Sequence, residues 1–370
     1  MTRLDVSIKL KVFLIISFLF VLITNNYFSY DQSLIFGAID GADYFLIAQS
    51  FPNIPHDALQ YHKAWRFIIP MLIGFIGKIS NIDLYLLFRI FVLIFSLLAM
   101  LIFFKIVKFF KVNNFQIFFL TSFITFNPYF FRYFIACPTM INDLIFINGI
   151  LLLFLGILKN NKFSFYTGIL LSVFTRQNSI FLLISIIMVK FVFKKNSFFK
   201  IKDIIILIVL FFFFFSLNTI FAKFHSDYND SYSFVARFAL FQINYSFADF
   251  LKYNLFPLII LLPLFCYLII EKKDFNFGKL NSELFILISL FIFFTIAVAY
   301  VGGPIITGKN LIRLMNLVFP LIILVGVILI NFKKHSIDSM RFYLFSFLFV
   351  IWSFHPTFSK IKILSLINFC

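Results

Sequence analysis

Apolar runs that approach the ~20 residues an α-helix needs to cross a bilayer recur along the whole chain, separated by short basic clusters. Inside a membrane every backbone amide and carbonyl must be paired, and a helix pairs them within its own segment. The alternating pattern typical of transmembrane β-strands is absent from the sequence. The chain is therefore predicted to fold as an all-α, polytopic bundle of transmembrane helices.

Composition agrees with a single integral membrane domain over residues 1–370. Hydrophobic residues make up 62% of the chain and charged residues 13%, against about a quarter in soluble domains. The formal net charge of +17 does not indicate nucleic-acid binding, because the basic residues form no face with interleaved aromatics. Three widely spaced cysteines show neither a disulfide framework nor a metal-ligand spacing. We expect membrane lipids, and no nucleic acid, among the partners.

The positive-inside rule predicts an orientation in the inner (plasma) membrane. A basic flank at residues 3–11 places the N-terminus in the cytoplasm. The short apolar stretch at residues 67–79 contains Pro70 and Gly74, so we interpret it as a membrane-embedded half-helix, which keeps the lysines at 105–111 cytoplasmic. About eleven crossings follow, with the C-terminus outside. They are predicted at residues 12–24, 84–104, 115–126, 141–158, 163–175, 179–193, 204–221, 255–270, 285–300, 314–330 and 342–352.

Two long polar loops then lie on the outer side, at residues 25–66 and 222–253. The first loop contains four of the chain's 15 acidic residues. Carboxylates gathered just outside the first span predict chemistry at the outer membrane face. A helix is predicted to begin after Asp40, so that Asp40 is its N-cap and Asp43 lies in its first turn, where the helix dipole favours negative charge. One of them is the candidate general base, and a capping geometry would also hold that carboxylate rigidly.

A family resemblance rests on this loop. Asp40-Gly-Ala-Asp43-Tyr44-Phe-Leu-Ile-Ala48 resembles the first-loop motif of GT-C glycosyltransferases, polytopic enzymes that use polyprenyl-phosphate sugars. Several mannosyltransferase-like members read Asp-Gly-x-x-Tyr-x-x-Ile-Ala there. Downstream, Tyr61-His-Lys-Ala-Trp-Arg66-Phe-Ile-Ile-Pro70 resembles the Arg-x-x-x-Pro start of the next helix in the same group. Arg313, which precedes an apolar span with an internal proline, also resembles a late arginine of the family.

The resemblance implies a GT-C fold and transfer of a sugar, with inversion, from a polyprenyl-phosphate donor to a lipid-linked or surface-glycan acceptor on the extracytoplasmic face. The first-loop aspartate is the family's usual base, and this role falls on Asp40, four residues before Tyr44. Asp43 is the second candidate, at a position where the family often has an aromatic residue or histidine. Ile39 stands where one branch of the family has tryptophan.

The chemistry of such a transfer fits the residue types present. A positioned carboxylate accepts the proton of the attacking hydroxyl, and cations stabilise the departing lipid phosphate. Arginine makes bidentate phosphate contacts that lysine does not. The predicted catalytic residues are Asp40 and Asp43, and the predicted donor-phosphate or substrate residues are Arg66, Tyr44, Tyr61, Asp143, Arg176, Lys309 and Arg313.

Structural roles remain open for several of these residues. Arg176 lies between two short spans, where a charge at membrane depth is costly unless it is paired or used. It either pairs with Asp143 or extends to the interface, as arginines near helix ends do. Asp143, or Asn142 before it, fits a helix N-cap. Arg66 and Arg313 also fit as anchors at the membrane interface.

No cofactor is predicted, although a divalent metal has a weak signal in the second loop. His225, Asp227 and Asp230 have a spacing that could hold one. Two other functions remain open. An O-antigen polymerase or ligase would depend on late loop residues such as Arg237 rather than on Asp40. A transporter or flippase would place ionisable groups near the bilayer midplane and often show internal repeats, which the sequence does not.

Overall fold

A computed structural model describes residues 39–53, 61–110, 130–194, 199–225, 279–301 and 311–329, with single positions between 12 and 22, at 59 and between 117 and 125. Within these residues the protein is all-helical and has no strand. The helices are α1 (Ile39–Gln49), α2 (Tyr61–Ala64), α3 (Ile68–Ser80), α4 (Leu84–Phe109), α5 (Phe131–Ala136), α6 (Ile141–Lys159), α7 (Lys162–Thr175), α8 (Ser179–Phe193), α9 (Ile201–Phe224), α10 (Lys279–Val301) and α11 (Leu311–Leu329).

Three of the described helical segments are long and apolar enough to cross a membrane. They are α4, α9 and Pro138–Lys159, in which a single 3₁₀ turn leads into α6. Helix α3 has 13 residues, or about 20 Å, which is shorter than a bilayer core and agrees with a half-helix in length. The all-helical class is confirmed, whereas the eleven crossings remain a prediction. The crossings predicted at 255–270 and 342–352 lie outside the described residues.

Helices α6 and α9 have opposite burial patterns. Nearly every side chain of α6 is buried, so this helix is the centre of the bundle. Helix α9 buries only one seam, where Asp203, Leu207, Phe211 and Asn218 follow at helical spacing. Its other faces expose large apolar side chains such as Phe212. An outer helix with a broad apolar surface is what a lipid environment favours.

Glycines bring α6 and α7 together as a close antiparallel pair. A Cβ atom on Gly149 would lie 2.6 Å from Ser172 Oγ, and one on Gly156 would lie 2.6 Å from Phe165 N. Only glycine permits this approach of the two backbones, as small residues do generally between membrane helices. The pairing brings the end of α7 to the start of α6, and this fixes the position of Arg176.

The opposite end of the pair is fastened by charge. Lys162 Nζ lies 2.6 Å from Asp203 Oδ2, and Tyr166 OH donates to Asp203 Oδ1 at 3.0 Å, which joins the start of α7 to the start of α9. Lysines also lie in the last turns of α4, α6 and α8, at Lys108, Lys159 and Lys190. We call this the basic end of the bundle. The end at which α6 and α8 begin and α7 and α9 finish is the polar end.

Candidate functional site

Helix α1 carries the two predicted catalytic aspartates to the polar end. The helix begins at Ile39, so Asp40 lies in its first turn rather than at the predicted N-cap position, which is a correction of about two residues. Helix ends are ill-defined over that distance because terminal turns fray. Both aspartates remain close to the helix N-terminus, where the dipole favours carboxylates. The backbone of Asp40 is described, and its side chain lies outside the described atoms.

Asp43 forms an ion pair with a residue that the sequence did not single out. Its Oδ2 lies 2.5 Å from Lys63 Nζ, and the lysine side chain is 3% exposed whereas that of Asp43 is 19% exposed. Lys63 lies in α2, four residues in length, so the pair fastens this short helix to α1. In the sequence, Lys63 lies between Tyr61 and Arg66, within the segment that resembles the family motif but at a position that the motif does not specify.

Arg66 is buried beside Tyr44. Its Nη1 donates a 2.8 Å hydrogen bond to Tyr44 OH, and the residue is 6% exposed. Within the described residues its Nε has no hydrogen-bond partner and no carboxylate lies within ion-pair distance. The two residues that the motif predicted for substrate binding are thus in contact. Among the described residues, the guanidinium of Arg66 therefore has a neutral phenol as its partner and no acid.

Asp143 and Arg176 form a second buried ion pair. Asp143 Oδ2 lies 2.9 Å from Arg176 Nη1, and the two side chains are 1% and 4% exposed. Of the two structural roles open for Arg176, pairing with Asp143 is therefore the one observed. The N-cap role is wrong, because α6 is capped at Met140 without a side-chain hydrogen bond. The carboxylate of Asp143 instead pairs with Arg176, which lies at the end of α7.

Asn142 connects the two charged groups. Its Nδ2 donates to the backbone carbonyl of Arg66 at 3.3 Å, and the next residue in the chain is the ion-paired Asp143. The residues gathered at the polar end form one buried polar cluster, which we call the outer cluster. It comprises Asp43, Tyr44, Lys63, Arg66, Asn142, Asp143 and Arg176.

Aromatic contacts close the outer cluster against α9. Trp65 Nε1 donates to Thr219 Oγ1 at 3.3 Å, and its ring lies 5.4 Å from that of Phe215. Phe67 stacks on Phe221 with ring centroids 3.4 Å apart. The residues on both sides of Arg66 are therefore held by the end of α9.

Several buried polar atoms near the outer cluster have no hydrogen-bond partner within the described part of the chain. Both amide atoms of Asn218 are in this state, and so are Asn142 Oδ1, Arg66 Nε, Asn178 Nδ2 and Ser179 Oγ. Asn178, Ser179 and Asn218 were not predicted as site residues from the sequence. Asn218 did carry a signal, because it interrupts the phenylalanine-rich apolar run of α9.

The side chains of the remaining predicted residues lie outside the described part of the structure. Tyr61 lies in α2 and Arg313 in α11, and only their backbones are described. Lys309, Arg237, Asp227 and Asp230 lie outside the described residues. Across the described ranges, no group of three His, Cys, Asp or Glu side chains is arranged to hold a metal ion.

Comparison of this chain with protein-family models, with curated proteins and with solved structures found no match. What can be assigned from the fold is the class: an all-helical protein whose apolar helices are suited to a membrane, with a buried charged cluster at one end of the bundle.

Proposed function

We propose that this protein is a membrane glycosyltransferase. It moves a sugar from a polyprenyl-phosphate donor to a lipid-linked or surface-glycan acceptor, in a reaction centred on the outer cluster. The observation that carries the proposal is Arg66, a buried arginine with no described carboxylate partner. It contacts Tyr44 on α1, the helix that carries Asp40 and Asp43. An anion site beside carboxylates is the combination that sugar transfer from a lipid phosphate requires.

The unbalanced charge of Arg66 favours an anionic ligand. An isolated charge taken out of water is strongly disfavoured unless a counter-charge or hydrogen bonds compensate it. Arg176 already has Asp143 at 2.9 Å, so its charge is balanced within the protein. Among the described residues Arg66 has only the phenol of Tyr44 as its side-chain partner, and its Nε is available for a phosphate oxygen. Arg66 is accordingly assigned to the donor phosphate, and Arg176 to positioning the start of α6. Lys309 and Arg313 remain candidates for further phosphate contacts.

The ion pair of Asp43 favours Asp40 as the base. Asp43 Oδ2 lies 2.5 Å from the ammonium of Lys63, so one oxygen of this carboxylate is already engaged within the protein. Asp40 lies three residues earlier on α1, hence on the same side of the helix. Asp40 accepts the proton from the acceptor hydroxyl as its oxygen attacks the anomeric carbon. The bond from that carbon to the phosphate oxygen breaks, its electron pair stays on the phosphate beside Arg66, and the configuration inverts.

Sugar transfer in membranes tests the assignment of the base. Asp40→Asn is expected to lower transfer of radiolabelled sugar from a polyprenyl-phosphate donor by about 10² to 10⁴-fold, the usual contribution of a general base. Asp43→Asn is expected to keep a measurable fraction of activity, because Asp43 holds α2 in place rather than accepting the proton. The control is equal abundance of both variants in the membrane. Loss of transfer in Asp43→Asn alone would move the base to Asp43, and full activity in both variants would refute both assignments.

The proposal places the polar end outside the cell, since lysines at the basic end follow the positive-inside rule. In a variant without native cysteines, Ala42→Cys on α1 is expected to react with a membrane-impermeant maleimide on intact cells. Asn160→Cys, in the turn after α6, is expected to react only after lysis. Both positions are exposed, so they form a matched pair. The reverse labelling pattern would place the outer cluster in the cytoplasm.

A further inference from the structure

Asn218 is the least explained polar residue of the described bundle. It is fully buried on the seam of α9, and neither atom of its amide has a hydrogen-bond partner among the described residues. A buried amide without partners carries its full desolvation penalty, whereas an apolar side chain of similar size would carry none. Asn148 differs in its nitrogen, because Nδ2 donates to Phe95 O and to Leu144 O, both at 2.9 Å, and only its Oδ1 has no partner among the described residues.

Contacts of Trp65 link the turn of α9 that carries Asn218 to the residue that precedes Arg66. Trp65 packs on Phe215 and donates to Thr219, the two residues that bracket Asn218 on this part of α9. The next residue after Trp65 is Arg66, whose Nε is also without a partner. Asn142, which holds the carbonyl of Arg66, has its Oδ1 in the same state. Two buried amides and one guanidinium nitrogen therefore have unused hydrogen-bonding capacity among the described residues, and Trp65 links the turn of α9 that carries Asn218 to the segment that carries Arg66.

The types of unused atoms define the ligand. Arg66 Nε and Asn218 Nδ2 are donors, and a phosphate oxygen would satisfy either of them. Asn142 Oδ1 and Asn218 Oδ1 are acceptors, which an ionised phosphate cannot satisfy. A group that both donates and accepts is needed, and hydroxyls do both. A sugar attached to a phosphate supplies hydroxyls and phosphate oxygens from one molecule.

We propose that Asn218 and Asn142 form a hydroxyl-recognition subsite for the sugar of the donor, next to the phosphate position at Arg66. This inference rests on the proposed function and adds the residues that read the sugar. The amide of Asn218 donates to one hydroxyl oxygen and accepts from a hydroxyl proton, and Asn142 Oδ1 accepts from another. Loss of these bonds weakens binding of the glycosylated donor and leaves binding of the bare lipid phosphate unchanged.

Thermal unfolding of the purified full-length protein in detergent micelles tests this subsite. The probes are polyprenyl phosphate alone and polyprenyl phosphate carrying mannose, glucose or galactose. In the wild type, at least one glycosylated lipid is expected to raise Tm more than the bare lipid does. Asn218→Leu is expected to raise Tm without ligand, because it removes a buried amide with no partner among the described residues, and to lose most of the additional response to the glycosylated lipid.

Asn148→Leu is the control, since it removes a buried asparagine whose Nδ2 already donates two hydrogen bonds within the protein. It is expected to lower Tm without ligand and to keep the additional response to the sugar. If Asn218→Leu does not fold, Asn218→Ala replaces it, with an expected rise in the donor KM of roughly tenfold and an unchanged inhibition constant for bare polyprenyl phosphate.

Two results would overturn the subsite. One is an unchanged sugar-dependent response in Asn218→Leu, which would mean that the amide binds water or nothing. The other is an equal response of the wild type to bare and glycosylated lipids. In either case labelled-sugar transfer by the wild type would leave the proposed function standing, whereas absence of transfer from every donor would refute the function itself.

Discussion

Arg66→Gln is expected to lower sugar transfer by about 10² to 10³-fold, the usual effect of removing one preorganised group that stabilises developing charge. Arg66 is buried, bonded to Tyr44 and without a described carboxylate partner, so its charge is available to the departing phosphate. The loss should fall on kcat as well as on KM, because negative charge on the phosphate grows as the bond to the sugar breaks. The measurement is the initial rate of radiolabelled transfer at several donor concentrations.

The stability of the Arg66→Gln variant is expected to rise or to stay unchanged. Removing a buried charge that no described carboxylate balances relieves a desolvation penalty. Arg66→Lys keeps the charge but loses the guanidinium geometry, so it should recover only part of the rate. Arg89→Gln, on the first turns of α4, is the control for loss of a positive charge elsewhere. Equal rates in Arg66→Gln and Arg89→Gln would exclude Arg66 from the phosphate site.

Breaking the pair of Asp143 and Arg176 is expected to produce the largest loss of stability. The two side chains are 1% and 4% exposed, so either single variant leaves a buried charge without its partner. Asp143→Leu and Arg176→Met should each lower the free energy of unfolding by about 3–5 kcal/mol, the range found when one member of a buried ion pair is removed. The double variant should recover most of this loss, because an apolar pair has no charge to desolvate.

Titration with SDS in mixed micelles measures these free energies, and the double-mutant cycle isolates the coupling between the two residues. Losses in the double variant equal to the sum of the single losses would show that the pair is not coupled. A double variant that is stable and still transfers sugar would confirm Arg176 as a positioning residue. A stable double variant without any transfer would instead return Arg176 to the list of phosphate ligands.

The helices of this protein could be read from the sequence wherever an apolar run had clear polar ends. The span predicted at residues 179–193 matches α8, and the spans predicted to begin at Leu84 and Ile141 begin there. The half-helix length of α3 followed from the short apolar run that contains Pro70. Helix ends were predicted less well at α4, which continues five residues past the predicted end through Lys105 and Lys108, and at α9, which is three residues longer at each end.

The outer cluster was harder to predict, because it depends on the register between helices. Whether Arg176 pairs with Asp143 is decided by the close approach of α6 and α7, which glycines such as Gly149 permit. No local pattern around Arg176 encodes that register. The contact of Tyr44 with Arg66 was approached only through a family resemblance. Lys63 and Asn218 were missed because their importance comes from what is buried around them.

The most direct test is turnover by the purified wild-type protein in lipid nanodiscs, with radiolabelled polyprenyl-phosphate sugars as donors and a lipid-linked glycan as acceptor. We predict equal amounts of labelled product and free polyprenyl phosphate for at least one donor, and neither product from Asp40→Asn under the same conditions. A folded wild-type protein that releases no polyprenyl phosphate from any donor, or an Asp40→Asn variant that matches it in rate, would contradict glycosyl transfer at the outer cluster.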